Sequence, residues 1–324
     1  MNLKDKVLNC LEENRDSYLS GEELAALFGV SRAAVWKAVR KLQEDGCRIT
    51  AAPGKGYRLS SGSDILSASG ISRLLGEGWE ERIIVRKEVD STNNLAKELA
   101  LRGAPHGTVV VAEKQTAGRG RLGRTFESPE GAGLYLTIIM RPDADMQKAL
   151  LITTAAAVGV CRAISSLTGT EAGIKWVNDV YIGEKKVCGI LTEAVTDFES
   201  GSLESVVAGI GINFRTPEEG FSDEVMNRGV CSLFESGEPT ITRNQLAAGV
   251  IGEVLAICEN LDDKSFLQEY RRRSIVLGRE VTLIRGDEKR RARALDISEN
   301  GGLIVLTSDG EQRELTSGEI SVRW

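Results

Sequence analysis

At 324 residues the chain is long enough for about two domains or slightly more, each with its own core. With 41% hydrophobic and 27% charged residues and a formal charge of −6, it has a folded, globular composition; the acidic balance excludes a general polyanion binder, so any nucleic-acid surface has to be local. Six cysteines (Cys10, Cys47, Cys161, Cys188, Cys231, Cys258) without a C-x-x-C pair, beside a single histidine, exclude a Cys/His zinc site and a disulfide framework, and are expected as reduced, mostly buried thiols with no metal ligand among them.

Residues 1–60 carry ten Lys/Arg against eight Asp/Glu, a net of +2, which leaves −8 for the remainder. The first 16 residues are charged at nearly every turn and lack the apolar core of a secretory signal, so a cytoplasmic location is expected. Leu3, Val7, Leu8 and Leu11 have helical spacing, and Ser20-Gly-Glu-Glu predicts an N-cap and acidic first turn before Leu24, Leu27 and Phe28. Gly29 breaks that helix and Ser31 caps the next, whose apolar positions Val35, Trp36, Val39 and Leu42 run to a stop at Gly46. Two short strands, 47–50 and 56–59, follow around a basic Pro/Gly tip. Residues 1–63 therefore predict a winged helix-turn-helix. Ser31, Arg32, Trp36, Lys37, Arg40 and Lys41 are its candidate DNA contacts on the recognition helix, with Lys55 and Arg58 on the wing for phosphates. A protein-interaction module with a solvated charged face is the competing assignment.

A polar linker at 60–63 leads to a second domain, 64–273, with helices expected at 65–75, 95–101, 147–167, 244–261 and 265–272. Strands are expected at 82–88, 108–112, 134–140 and 205–214, with a hairpin of 174–182 and 186–194 about Gly183-Glu184. The apolar run 149–161, flanked by Lys148 and Arg162, is short of the roughly 20 residues that span a bilayer, and no membrane helix is expected. His106, in a Gly/Pro-bounded turn, is expected as an exposed turn residue and not as an acid–base catalyst. From residue 274 to 324 short strands (280–284, 290–296, 302–307, 312–315) predict a small β-barrel. The class is α+β, with a central sheet covered by helices.

The segment from Ala117 to Arg124, AGRGRLGR, matches both G-x-G-x-x-G and a Walker-like string. Both motifs need a helix directly after the loop, and Pro129, Gly131 and Gly133 forbid one. What remains is close backbone approach at the glycines and three arginines whose repulsion an anion, a polyphosphate or acyl phosphate, would relieve. Lys175-Trp-Val-Asn-Asp179 and Lys185-Lys-Val-Cys-Gly189 approach each other through the predicted hairpin and add positive charge beside glycine. Asp90-Ser-Thr-Asn-Asn94 marks a strand-to-helix junction where Ser91 or Thr92 caps the helix; capping alone accounts for it, and its hydroxyls and amides also suit a polar, uncharged ligand head.

Taken in order, Asp90-Ser-Thr-Asn93, Gln115 with Gly118-Arg-Gly-Arg-x-Gly-Arg124, Lys175-Trp-x-Asn-Asp179, Lys186-x-x-Gly-Ile190 and Gly209-Ile-Gly-Ile-Asn213 resemble the motif series of biotin–protein ligases. With the winged module in front and the barrel behind, the chain resembles the bifunctional biotin ligase and biotin-operon repressor over essentially its whole length. The resemblance implies a class II aminoacyl-tRNA-synthetase-like ligase domain and an SH3-like barrel. It also implies ATP and biotin as substrates with Mg2+, formation of biotinyl-5′-AMP, and transfer of biotin to a lysine of biotin carboxyl carrier protein, a subunit of acetyl-CoA carboxylase. By motif position, Ser91, Thr92, Asn93 and Gln115 hold the ureido head, and Arg119, Gly120 and Arg121 cover the carboxylate and adenylate phosphate. Lys186, with Arg121, serves catalysis at the biotin carboxyl end, while Arg119, Arg121, Arg124, Lys175, Asn178, Asp179 and Asn213 serve the nucleotide. Biotinyl-AMP is expected to order the arginine loop and favour a homodimer that binds operator DNA and competes with the carrier protein. Val177 departs from a common proline and Phe126 from a frequent tryptophan, and no adenine contact is assigned within 215–243. The rivals are a lipoate–protein ligase, a sensor without ligase activity, and a ligase whose winged module no longer binds DNA.

Overall fold

The computed structural model describes residues 2–322 apart from 16, 61, 142–147, 197–202 and 286–287; Ser61 of the expected linker and Gln147 of the expected long helix lie outside the described residues. Three helices open the chain: α1 (Leu3–Glu13), α2 (Gly21–Phe28) and α3 (Arg32–Glu44). They enclose Val7, Leu11, Leu24, Val35, Val39 and Leu42 in a core of their own. Ser20 and Glu23 close a reciprocal capping box on α2, and Ser31 caps α3 through the Ala34 amide. Strands β1 (Ile49–Ala52) and β2 (Gly56–Leu59) form the wing, and Leu19 bridges Tyr57 beside it. Trp36 is 52% exposed: Val35 and Trp36 are adjacent on a 3.6-residue helix, and Val35 takes the buried side.

Next come α4 (Ala68–Leu75), β3 (Ile83–Val89), α5 (Thr92–Leu101), β4 (Val109–Gln115), β5 (Gly133–Met140), α6 (Lys148–Thr168), β6 (Gly173–Lys175), β7 (Asp179–Ile182), β8 (Lys185–Thr196) and β9 (Leu203–Asn213). They are followed by α7 (Asp223–Met226), α8 (Arg243–Cys258) and α9 (Phe266–Arg273). The strands form one seven-stranded sheet in the order β3-β4-β5-β9-β8-β7-β6. The β3–β4 pair is parallel and every other neighbour antiparallel.

Period-two alternation decides which face each strand residue serves. On β9, Val206, Ala208, Ile210 and Ile212 join the main core under α6 and α8, while Val207 packs with Ala96 and Ala100 of α5 on the opposite face. That opposite face continues along β9 as Gly209, Gly211 and Asn213, where no bulky side chain fills the space, and the site lies there. The 19-residue stretch Leu150–Thr168 of α6 is long and apolar enough to cross a bilayer, longer than the run read from sequence, but it is a core helix packed on the sheet and on α8.

The segment expected as one strand at 174–182 is instead two short strands folded on each other. Asn178 turns the chain, exchanging bonds with Ile190: its side chain donates to the Ile190 carbonyl at 2.8 Å and its carbonyl accepts the Ile190 amide at 2.9 Å. Trp176 and Val177 are buried at this turn, and the peptide between them is cis. Helix α4 starts later than expected, at the Ser67 cap, and α5 starts one turn earlier, at Thr92. His106 is half-buried, its Nδ1 accepting the Arg141 amide at 3.1 Å, so it is a structural acceptor and not an exposed turn residue.

The C-terminal part folds into β10 (Glu280–Arg285), β11 (Glu288–Ile297), β12 (Leu303–Thr307), β13 (Gln312–Leu315) and β14 (Glu319–Val322), an antiparallel five-stranded sheet ordered β13-β12-β11-β10-β14. Strand β14 was not expected, being only a four-residue segment after a turn. This sheet docks on the central domain: Trp176 donates its indole N–H to the Gly301 carbonyl at 3.0 Å, and Val281, Ala294 and Ile320 extend the main core.

Candidate active site

A cavity of about 460 Å³ opens on the free face of the sheet. It is bounded by the arginine loop, the β6–β7 turn, the segment around Phe221 and Arg228, and the start of β14. Ser91, Thr92, Asn93, Gln115, Arg119, Gly120, Arg121, Arg124, Lys175, Asn178, Asp179, Lys186 and Asn213 all line it, so the residues picked out in sequence converge on one volume.

One end is neutral and polar. Ser91 occupies the N-cap position of α5 but makes no capping bond. Asp90 works there instead, accepting from the Ser91 amide at 2.7 Å and from Asn94 at 2.6 Å, which holds its carboxyl below the usual range despite partial burial. Capping therefore does not account for Ser91 and Thr92. The Thr92 amide and hydroxyl both donate to Gln115 Oε1, at 2.9 and 3.1 Å, and Gln115 Nε2 donates to Ser128 at 2.8 Å. The Thr137 hydroxyl lies 2.8 Å from Thr92 Oγ1 and 2.7 Å from Asn93 Oδ1. Asn93 Nδ2 donates to the Leu191 carbonyl and to Glu193. The floor is bare because it must be: a Cβ on Gly209 would lie 2.0 Å from Asn93 Oδ1, and one on Gly211 2.6 Å from the Phe126 ring.

The other end is cationic. The arginine loop folds on itself, the Gly120 amide donating to Arg124 O and the Phe126 amide to Gly118 O, with a single 3₁₀ turn at Arg121–Gly123 and no helix behind it. The chain itself supplies carboxylates to two of the arginines: Arg119 pairs with Glu193 at 2.7 Å and Arg124 with Glu319 of β14 at 2.8 Å. Two of the three arginines thus meet carboxylates of the chain itself, which lowers the repulsion within the loop. Arg121 donates to Asn178 Oδ1 at 3.0 Å. Lys186 Nζ stands 2.6 Å from Asp179 Oδ1, and its backbone pairs with Gly229 and Cys231, tying the outer segment to β8. Lys175 lies over the Tyr181 ring; burial lowers its pKa, Asp179 opposes and Lys186 adds to the lowering. Asn213 donates to the Cys231 carbonyl at 3.1 Å. Burial pushes the Cys161 and Cys47 thiols up to about 12, which leaves them poor nucleophiles.

On the winged module, Arg32, Trp36, Lys37 and Arg40 are exposed on α3, with the Arg40 guanidinium over the Trp36 ring. Lys41 is drawn to Glu44 and Asp45 at the far end of the helix. On the wing, Arg58 and Lys55 flank the Tyr18 ring.

Sequence comparison matches this architecture. A bifunctional ligase/repressor BirA of Bacillus spizizenii is 38% identical over 79% of this chain and 77% of its own length, and one of Escherichia coli K12 is 33% identical over 94% of this chain and 92% of its own. The chain belongs to the bifunctional biotin ligase/repressor family. Residues 85–213 match the biotin/lipoate A/B protein ligase family, residues 4–58 an HTH domain, and residues 276–323 a biotin protein ligase C-terminal domain. A biotin protein ligase of Aquifex aeolicus, solved in complex with biotin and ATP, superposes with a TM-score of 0.63 and 32% identity, covering 75% of this chain and 99% of that one.

Within this bifunctional ligase/repressor, sequence reasoning missed several cavity partners. Thr137 was detectable as the polar position in the otherwise apolar β5, whereas Glu193 stands among other polar residues of β8, Lys185, Lys186, Thr192 and Thr196. Glu319 carried no such signal, because its strand was not expected, nor did the outer segment with Phe221, Val225 and Arg228. That segment is pinned by Ser222, whose hydroxyl and amide both donate to Glu127.

Proposed function

We propose that this chain joins biotin to ATP, forming biotinyl-5′-AMP and pyrophosphate, then passes biotin to one lysine of a biotin carboxyl carrier protein, and that it represses transcription of biotin genes in its adenylate-bound state. The observation that carries this is the polarity of one cavity: a neutral donor–acceptor network at Ser91, Thr92, Asn93 and Gln115, and a cationic end at Arg119, Arg121, Arg124, Lys175 and Lys186. An uncharged ureido head with a carboxylate tail, beside a polyphosphate, has the same polarity.

In the first step a biotin carboxylate oxygen attacks the α-phosphorus of ATP, and the bond from that phosphorus to the bridging oxygen of pyrophosphate breaks. Two anions must meet, so the requirement is positive charge and alignment more than proton transfer. Lys186 and Arg121 stabilise charge at the reacting oxygens; Arg119 and Gly120 cover the adenylate. Arg124, Lys175, Asn178, Asp179 and Asn213 serve the nucleotide, whose Mg2+ enters with it as substrate. In the second step the carrier lysine attacks the acyl carbon and AMP leaves, so no enzyme nucleophile is needed, consistent with the inert thiols.

Residues 1–63 form the DNA module of this assignment, 64–273 the catalytic domain and 274–324 the C-terminal domain. Ser31, Arg32, Trp36, Lys37, Arg40 and Lys41, with Lys55 and Arg58, face the operator, and two copies act together as a homodimer in the cytoplasm. The test incubates the purified chain with ATP, labelled biotin and a carrier domain, and runs a gel shift on operator DNA from biotin genes. Transfer to one carrier lysine and a shift that requires biotin with ATP are expected. No transfer would leave a sensor, and a biotin-independent shift or none would remove the repressor half.

A further inference from the structure

We propose that Glu193 is a positioning residue for biotin adenylation: its carboxylate latches the arginine loop onto the head-group network and so holds the two halves of the site together. The role rests on the biotin site proposed above. Glu193 follows Gly189 and Leu191 on the ligand face of β8, immediately beyond the cavity floor. Three donors from two elements converge on this one carboxylate: Asn93 of α5 donates to Oε2 at 2.8 Å, Arg119 of the loop to Oε2 at 2.7 Å, and Lys97 of α5 to Oε1 at 3.1 Å.

Burial works against the charge of Glu193, yet Asn93, Lys97 and Arg119 together hold its carboxyl below the usual range. A carboxylate accepts and cannot donate, so Asn93 has to turn its amide nitrogen to Glu193 and the Leu191 carbonyl. Its Oδ1 then faces Thr137, and the chain of bonds continues through Thr92 to Gln115. Because Asn93 and Thr137 are buried, each polar atom there needs a defined partner, and the end of the chain sets the sense of the rest. Arg119 shares the same oxygen, which places the loop backbone across the pocket. Glu319 of β14 is engaged by Arg124, and Arg119 pairs with Glu193.

Glu193→Gln keeps size and removes the charge; Glu193→Asp keeps the charge. In biotin-dependent exchange of labelled pyrophosphate into ATP, Glu193→Gln is expected to raise the biotin KM about tenfold, with the ATP KM within about twofold and kcat within about threefold of the parent. Glu193→Asp should lie between the two. A second readout needs no activity: limited trypsin digestion of the unliganded chain, which cuts after Arg119, Arg121 or Arg124 when the loop is released, should be faster in Glu193→Gln at equal global stability by thermal melting. Unchanged biotin KM, equal shifts in both KM values, or unchanged loop cleavage would overturn the role. If the parent chain shows no exchange with biotin, the proposed function fails and the digestion still decides the latch.

Discussion

Lys186 Nζ lies 2.6 Å from Asp179 Oδ1, and that contact ties the cationic wall of β8 to the end of the β6–β7 turn. Asp179 orients the ammonium while Asn178, its neighbour, receives Arg121. Replacing Lys186 by methionine keeps much of the side-chain volume and removes the charge at the reacting oxygens. The kcat of adenylation is expected to fall about a hundredfold or more, while biotin binding by calorimetry changes far less. A KM effect alone would assign Lys186 to uniform binding.

The head network and the glycine floor are mutually exclusive with any side chain at position 209. A methyl group there would meet Asn93 Oδ1 at 2.0 Å. Gly209→Ala should therefore raise the biotin KM by about tenfold or more with ATP binding retained, a comparison that steady-state exchange kinetics makes directly.

Arg243, at the start of α8, is 2% exposed and is paired on both sides, with Asp64 at 2.9 Å and Glu113 at 2.6 Å. The cluster binds the segment after the linker to β4, two residues before Gln115. Arg243→Ala leaves two carboxylates without their partner and is expected to cost about 3–5 kcal/mol in urea unfolding. A loss below about 1 kcal/mol would mean that water replaces the guanidinium.

Burial lowers the pKa of His106, with Glu259 opposing and Arg82 assisting. The folded chain thus resists a proton that the unfolded chain accepts near pH 6.5. The resulting stability is fully present above that value and is lost as pH falls through the lower folded pKa. His106→Asn keeps an acceptor for the Arg141 amide and removes the titration, so denaturation between pH 7 and 5 should lose this part of its pH slope.

The cavity residues named from the sequence were legible because they belong to runs with internal spacing: the glycine–arginine loop, the lysine pairs and the alternating Gly209-Ile-Gly-Ile-Asn213 strand. What was hidden lay in partners chosen by tertiary structure. The turn at 176–178 had no proline or glycine to announce it, so the strand was read straight through. Val35 and Trp36 are equally apolar neighbours on α3, and only packing selects Val35 for the core and leaves Trp36 exposed. Glu193 and Glu319, which pair with Arg119 and Arg124 from within the chain, come from distant strands, beyond the reach of local spacing.

The most direct test of the account is exchange of labelled pyrophosphate into ATP by the purified chain, with biotin and, in parallel, lipoate as the acid. Exchange that requires biotin and does not occur with lipoate is predicted. Exchange with lipoate alone, or with neither acid, would contradict the account.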